Sequence, residues 1–125
     1  FEPFRSGEDQ SPALVRAINA LRGEDYKLNE ITVLSPLASG STAQSTADPW
    51  LRQVLRSATG SGPRRGQVQY STIHAFKGLE APAVIVTDLD DRLVPDLEPL
   101  LYVGLTRAMD RLVALIEIDT FQRWH

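Results

Sequence analysis

Residues 83–89, AVIVTDL, are nearly continuous in apolar character, and this segment constrains the fold more than any other. A strand with one wet face alternates polar and apolar residues, whereas one without alternation is covered on both faces, as in the centre of a parallel sheet. Parallel neighbours need long crossovers, usually helical. The rest of the chain supplies them. In SPALVRAINALRG, Ser11 is a capping candidate, Pro12 fits the first helical position, Leu14, Ile18 and Leu21 share a face, and Gly23 closes the helix. ITVLSP reads as a strand ended by Pro36, and LASGSTAQSTADP as a polar loop. Asp48 and Pro49 predict a second helix, PWLRQVLRSATG, with Leu51, Val54, Leu55 and Ala58 on its apolar face. SGPRRG is a turn, QVQYSTI an alternating strand, and a helix from about Glu98 to Arg111 precedes a last strand, RLVALIEI. Strands alternating with helices predict a layered α/β domain with a mainly parallel sheet.

With 125 residues, 42% of them hydrophobic, the chain is long enough for one domain with its own core. No apolar run approaches the roughly 18–20 residues of a membrane span, and no export signal is visible at the start, so no membrane partner is expected. Cysteine is absent, which removes disulfides and thiolate metal sites and fits a reducing compartment, with the cytoplasm as the expectation. The chain opens at Phe1 and its one methionine is Met109, so it is expected to be a single domain, 1–125, excised from a longer protein. A net charge of −3 gives no general electrostatic reason to expect nucleic acid. Charge is unevenly spread, however. Residues 49–70 carry Arg52, Arg56, Arg64 and Arg65 with no acid, whereas 88–98 carry Asp88, Asp90, Asp91, Asp96 and Glu98 against Arg92 alone. Two solvated patches of opposite sign is the plain reading, and for the aspartates an exposed acidic loop is expected rather than a metal site.

Polar chemistry concentrates in STIHAFKGLEAPAVIV, residues 71–86. A strand closes near Ile73, a tight turn carries His74, Lys77, Gly78 and Glu80, and a buried strand resumes at Ala83. Loops at the carboxyl ends of parallel strands are where α/β domains place ligand groups. Lys77 is a point charge suited to phosphate, Gly78 allows close approach of a backbone, and Glu80 can accept hydrogen bonds from a sugar hydroxyl. Thr72 and His74 suit contacts to a phosphate backbone or a base edge. A capped turn with a solvated Lys and Glu fits the same spacing.

A second constellation is LLYVGLTRAMDRL, residues 100–112. Leu101, Leu105 and Ala108 repeat at helical core spacing, and Gly104 costs about 1 kcal/mol of helix propensity, which points to close packing. Arg107, three residues on, is expected on the face of Gly104 with its guanidinium projecting toward a partner. An ion pair with a neighbouring acid such as Asp110 is the alternative.

Together these stretches resemble motifs V and VI of superfamily 1 helicases of the UvrD/Rep type, ATP-driven motors that move along single-stranded DNA. Thr72, His74, Lys77, Gly78, Leu79 and Glu80 match the first motif; Tyr102, Val103, Thr106, Arg107 and Ala108 match the second. The resemblance implies the carboxyl-terminal RecA-like motor lobe, with a P-loop-NTPase-like fold. ATP in such motors lies between two lobes, and the amino-terminal lobe of the same protein supplies the phosphate-cradling loop, the magnesium ligands and the catalytic base. By the same resemblance Arg107 is the arginine finger, Glu80 contacts the ribose, Lys77 and Gly78 lie on the turn linking the nucleotide and DNA surfaces, and Thr72 and His74 face the DNA. No Gly-Lys-Ser or Gly-Lys-Thr loop is present, so the chain alone is not expected to hydrolyse ATP. The family's aromatic residue after the motif V glutamate is here Ala81, with Phe76 placed earlier, so base stacking is in question.

Two rivals remain. A phosphoacceptor domain would use the carboxylates of VIVTDLDD, Asp88 first, but needs an acidic pair after its first strand that ITVLSP lacks. A helicase-like lobe reduced to a nucleic-acid or protein-binding module is the other.

Overall fold

The computed structural model describes residues 1–58 and 60–124, without the side chain of Trp124. Its strands are β1 (Glu2–Phe4), β2 (Ile31–Ser35), β3 (Leu55–Ser57), β4 (Val68–Thr72), β5 (Ala81–Leu89) and β6 (Ala108–Glu117). Its helices are α1 (Ser11–Gly23), α2 (Thr42–Ser45), α3 (Pro49–Val54), α4 (Leu97–Leu105) and α5 (Ile118–Trp124). The strands form one sheet in the order β1-β6-β5-β2-β4-β3, every pairing parallel.

The two-faced burial expected of AVIVTDL is present. Ala83 and Ile85 join Leu14, Ile18, Leu21, Val33 and Leu115 in a core under α1, while Val84 and Val86 join Leu34, Ile73, Leu97 and Leu101 in a second core under α4. Helix, sheet and helix therefore form three layers, the RecA-like α/β arrangement. No helix among the described residues is long and apolar enough to cross a membrane.

Local signals placed many boundaries, and several were overridden. Gln10, not Ser11, precedes α1, and the N–H of Ser11 is taken by Asp9 Oδ1 at 2.9 Å. The expected loop at 37–49 contains α2, capped by Ser41, whose Oγ accepts from Gln44 N. Asp48 does cap α3 through Leu51 N, with Pro49 in the first turn, but the helix stops at Val54. Leu55 and Val68, Arg56 and Gln69, and Ser57 and Tyr70 then lie side by side, so an exposed edge of β4 captured as a strand what periodicity assigned to helix. Thr59, inside that expected helix, lies outside the described residues.

The acidic stretch is also corrected. Asp88 and Asp90 are buried rather than exposed, and Asp91 pairs with Arg123. The Asp88 carboxylate accepts from Gln10 Nε2 (3.2 Å), Thr42 N (3.1 Å), Thr42 Oγ1 (2.8 Å) and Thr87 Oγ1 (2.6 Å). Gln10 Oε1 in return accepts Asp88 N–H at 2.9 Å. This carboxylate fastens the starts of α1 and α2 to the end of β5 and is not presented for phosphorylation. Asp90 is likewise used internally, accepting Arg92 N–H at 3.0 Å.

Glu117, at the end of β6, caps α5. Its carboxylate accepts Asp119 N (2.9 Å), Thr120 N (2.9 Å) and Thr120 Oγ1 (3.0 Å), and Arg92 Nη2 lies 2.9 Å away. Burial alone would push this carboxyl up, but the backbone N–H groups, the hydroxyl and the guanidinium outweigh it and bring it from 4.5 down to about 2. The folded-state value lies below the unfolded one, so the ionised group stabilises the fold above about pH 4.5 and that contribution is lost as pH falls toward 2. Replacement Glu117→Gln is expected to flatten the dependence of thermal stability on pH in that window, removing on the order of 2 kcal/mol of it. Identical acid profiles in melts of the two proteins would contradict this.

Candidate nucleotide and nucleic-acid face

The turn between β4 and β5 explains how ionisable groups interrupt an apolar run. Ile73 and Phe76 are buried in the second core, while His74, Lys77, Gly78, Leu79 and Glu80 are exposed. Apolar and polar residues are sorted by the turn rather than by strand alternation. Ile73 N donates to Ser35 O at 2.9 Å, continuing the β2 pairing one residue past β4. Thr72 Oγ1 accepts Ala75 N–H at 3.0 Å, and Phe76 N, Lys77 N and Leu79 N bond back to carbonyls of Ile73, His74 and Phe76. Among the described residues the Thr72 hydroxyl donates to no acceptor. Gly78 has φ +81°, and a Cβ there would touch nothing within 4 Å, so the backbone conformation, not close approach, calls for glycine. Phe76 is buried, which removes it as a stacking surface.

Motif VI is placed differently from expectation. Helix α4 ends at Leu105, and β6 begins at Ala108, so Arg107 stands on the connecting turn and not on the helix. Thr106 N and Arg107 N bond to Val103 O and Gly104 O, both at 3.2 Å, tightening the last turn, and Ala81 N donates to Arg107 O at 3.1 Å, drawing the chain into the sheet. The tertiary pairing with β5 overrode the helical spacing. Gly104 does pack closely: a Cβ would lie 3.0 Å from Ile73 Cδ1 and 3.8 Å from Val86 Cγ2. The two motifs thus touch through Gly104 and Ile73.

Arg107 is half-buried, with Nη1 donating to Leu79 O (3.4 Å) and Nη2 to Thr106 Oγ1 (3.2 Å). Its Nε is buried without a hydrogen-bond partner. Among the described residues no carboxylate pairs with it, and Asp110, the alternative partner expected from the sequence, instead accepts from Tyr26 Oη. The guanidinium is therefore laid against the peptide immediately before Glu80. Thr72 and His74 lie at the other end of the turn. Lys77 is exposed and has no carboxylate partner among the described residues.

Beside Thr72, at the carboxyl ends of β2, β3 and β4, opens a cleft of about 240 Å³ whose lining includes Ser41, Gln44, Ser57, Tyr70 and Ser71. Sequence reasoning did not single out these residues, nor Gln10 and Thr42, because their proximity depends on segments dozens of residues apart meeting in space.

Residues 68–115 match the family model of the UvrD-like helicase C-terminal domain, a span that contains both motifs. Among solved structures, the C-terminal domain of a possible DNA helicase from Lactobacillus plantarum WCFS1 is similar, with TM-score 0.61 and 22% identity over 93% of this chain and 70% of that one. That likeness speaks for the fold. No curated protein matches. The expected resemblance to UvrD-type C-terminal helicase lobes is found in the family match, and the six-stranded parallel sheet agrees with it.

Proposed function

We propose that this chain is the second motor lobe of an ATP-dependent DNA helicase or translocase, working with an amino-terminal RecA-like lobe of the same protein on single-stranded DNA. One observation carries the reading: Arg107 is held by a carbonyl and a hydroxyl, with no carboxylate among the described residues, beside Glu80. An arginine neutralised within its own domain has little left for a phosphate; among the described residues this one meets no carboxylate, and its exposed Nη1 and Nη2 are held only by long hydrogen bonds. That donor set fits a polyphosphate. Arg107 would hold the terminal phosphate and Glu80 the ribose, with Lys77 and Gly78 on the turn between nucleotide and DNA. ATP supplies the phosphoanhydride whose cleavage drives movement, and magnesium would be held by the other lobe. Arg107 contributes charge and orientation at the developing oxyanions. Thr72 and His74 would contact the strand, and the turn they share with Glu80 would carry strand binding to the nucleotide side.

The test is ATP hydrolysis by the full-length protein with and without single-stranded DNA; absence of any DNA stimulation overturns the reading. Within it, His74→Ala is expected to lower DNA stimulation about tenfold and leave basal hydrolysis nearly unchanged, one interaction with the strand being worth about 1.4 kcal/mol. The opposite pattern would take His74 off the strand-facing surface.

A further inference from the structure

From Pro49 to Leu79 the chain carries Arg52, Arg56, Arg64, Arg65 and Lys77 with no Asp or Glu, five formal positive charges in a chain whose net charge is −3. The fold does not neutralise this excess. Among the described residues none of the four arginines pairs with a carboxylate, whereas Arg92, Arg111 and Arg123 each do. Arg52 is exposed on α3, Arg56 is half-buried on β3, and Arg64 and Arg65 are exposed in the turn before β4. Arg56 lies on β3, an outer strand of the sheet, and Arg52 on the helix that leads into it, while Arg64 and Arg65 precede the amino end of β4, where Arg65 lines a cleft with Arg22 and Lys27.

The part of the β3 border that carries Arg52 and Arg56 adjoins Thr72. The cleft of about 240 Å³ beside Thr72 is lined by neutral groups only. A neighbouring cleft of about 420 Å³ shares Gln44 and Tyr70 with it and adds Arg52. Arg56 pairs in register with Gln69, one position before the Ser57–Tyr70 pair that lines the first cleft, and its Nη1 reaches Gln67 Oε1 at 3.4 Å. A neutral cleft with an aromatic wall, next to a cationic one, matches the alternation of base and phosphate along a nucleic-acid strand. An acidic peptide would engage the arginines and leave the neutral cleft without a role.

We infer that the β3 edge, with Arg52, Arg56, Arg64 and Arg65, continues the single-stranded nucleic-acid path outward from Thr72, with a base in the Tyr70–Gln44 cleft and phosphates on the arginines. The inference rests on the motor-lobe reading and adds to it a binding surface outside both motifs.

The experiment uses the full-length protein and fluorescein-labelled oligothymidylates of increasing length, with affinity measured across a salt series. Two double variants, Arg52→Gln with Arg56→Gln and Arg64→Gln with Arg65→Gln, are each expected to weaken binding of the longer oligonucleotides. The slope of log affinity against log salt should become shallower by about 0.7 for each phosphate that an arginine no longer neutralises. Lysine at the same positions should restore the slope, since it keeps the charge. Unchanged affinity and slope in both variants, while His74→Ala still weakens binding, would overturn the inference alone and leave the border a solvated face. No binding of any oligonucleotide by the unaltered protein would overturn the motor-lobe reading and this surface together.

Discussion

Arg107→Ala in the full-length protein is expected to lower DNA-stimulated ATP turnover by roughly three to five orders of magnitude, about 4–7 kcal/mol of barrier, with nucleotide affinity little changed. The asymmetry follows from when the guanidinium acts. A group that neutralises charge developing on a transferring phosphoryl is worth more at the transition state than in the bound ground state. Stability should hardly move, because Arg107 gives up only two long hydrogen bonds to Leu79 O and Thr106 Oγ1 and no ion pair. Arg107→Lys should recover little: a lysine has a single charged point and cannot hold the Leu79 carbonyl and Thr106 hydroxyl while presenting a further donor outward. Turnover and nucleotide binding are measured on the same preparations. Turnover within tenfold of the unaltered protein would remove Arg107 from the chemistry.

The largest effect on folding is expected at Asp88→Ala, a loss of roughly 3–4 kcal/mol, or on the order of 10 °C in Tm. Its carboxylate is buried and receives donors from Gln10, Thr42 and Thr87; in the variant those of Gln10 and Thr42 lose their acceptor, and Thr87 Oγ1 keeps only Leu34 O at 3.5 Å. Asp88 also has φ 62°, a conformation that aspartate and asparagine tolerate better than alanine does. Asp88→Asn should therefore cost less than Asp88→Ala, though its amide turns one acceptor into a donor. Gln10→Ala removes a single reciprocal pair and is expected to cost roughly 1–2 kcal/mol. Thermal and denaturant melts read all three. Asp88→Ala within about 0.5 kcal/mol of the unaltered protein would show that solvent or rearrangement satisfies those donors.

Arg107 and Asp88 show where sequence reasoning held and where it failed. The matched residues of the two motifs fall within the family-matched span 68–115, and the turn after β4 was legible because it depends on near neighbours: Thr72 caps it, Gly78 reverses it, Ile73 and Phe76 anchor it. The position of Arg107 was misjudged because helical spacing runs on through Thr106, whereas the pairing of Ala108 with Ala81 stops the helix first. Asp88 was misjudged because DLDD has the composition of a solvated loop, and its partners Gln10 and Thr42 are 78 and 46 residues away.

What the chain determined unaided was the kind and order of its main elements: a two-faced central strand, capped helices, and polar groups confined to a strand-end turn. These rest on backbone preference and side-chain periodicity, which act over a few residues. Tertiary structure decided which charges were cancelled. It placed Glu117 under Arg92, Glu24 beside Arg111 and Asp91 beside Arg123, and among the described residues it left Arg107, Arg52, Arg56, Arg64 and Arg65 without carboxylates. An ion pair forms where two side chains meet in space, so whether a cation remains free for a phosphate follows from the fold.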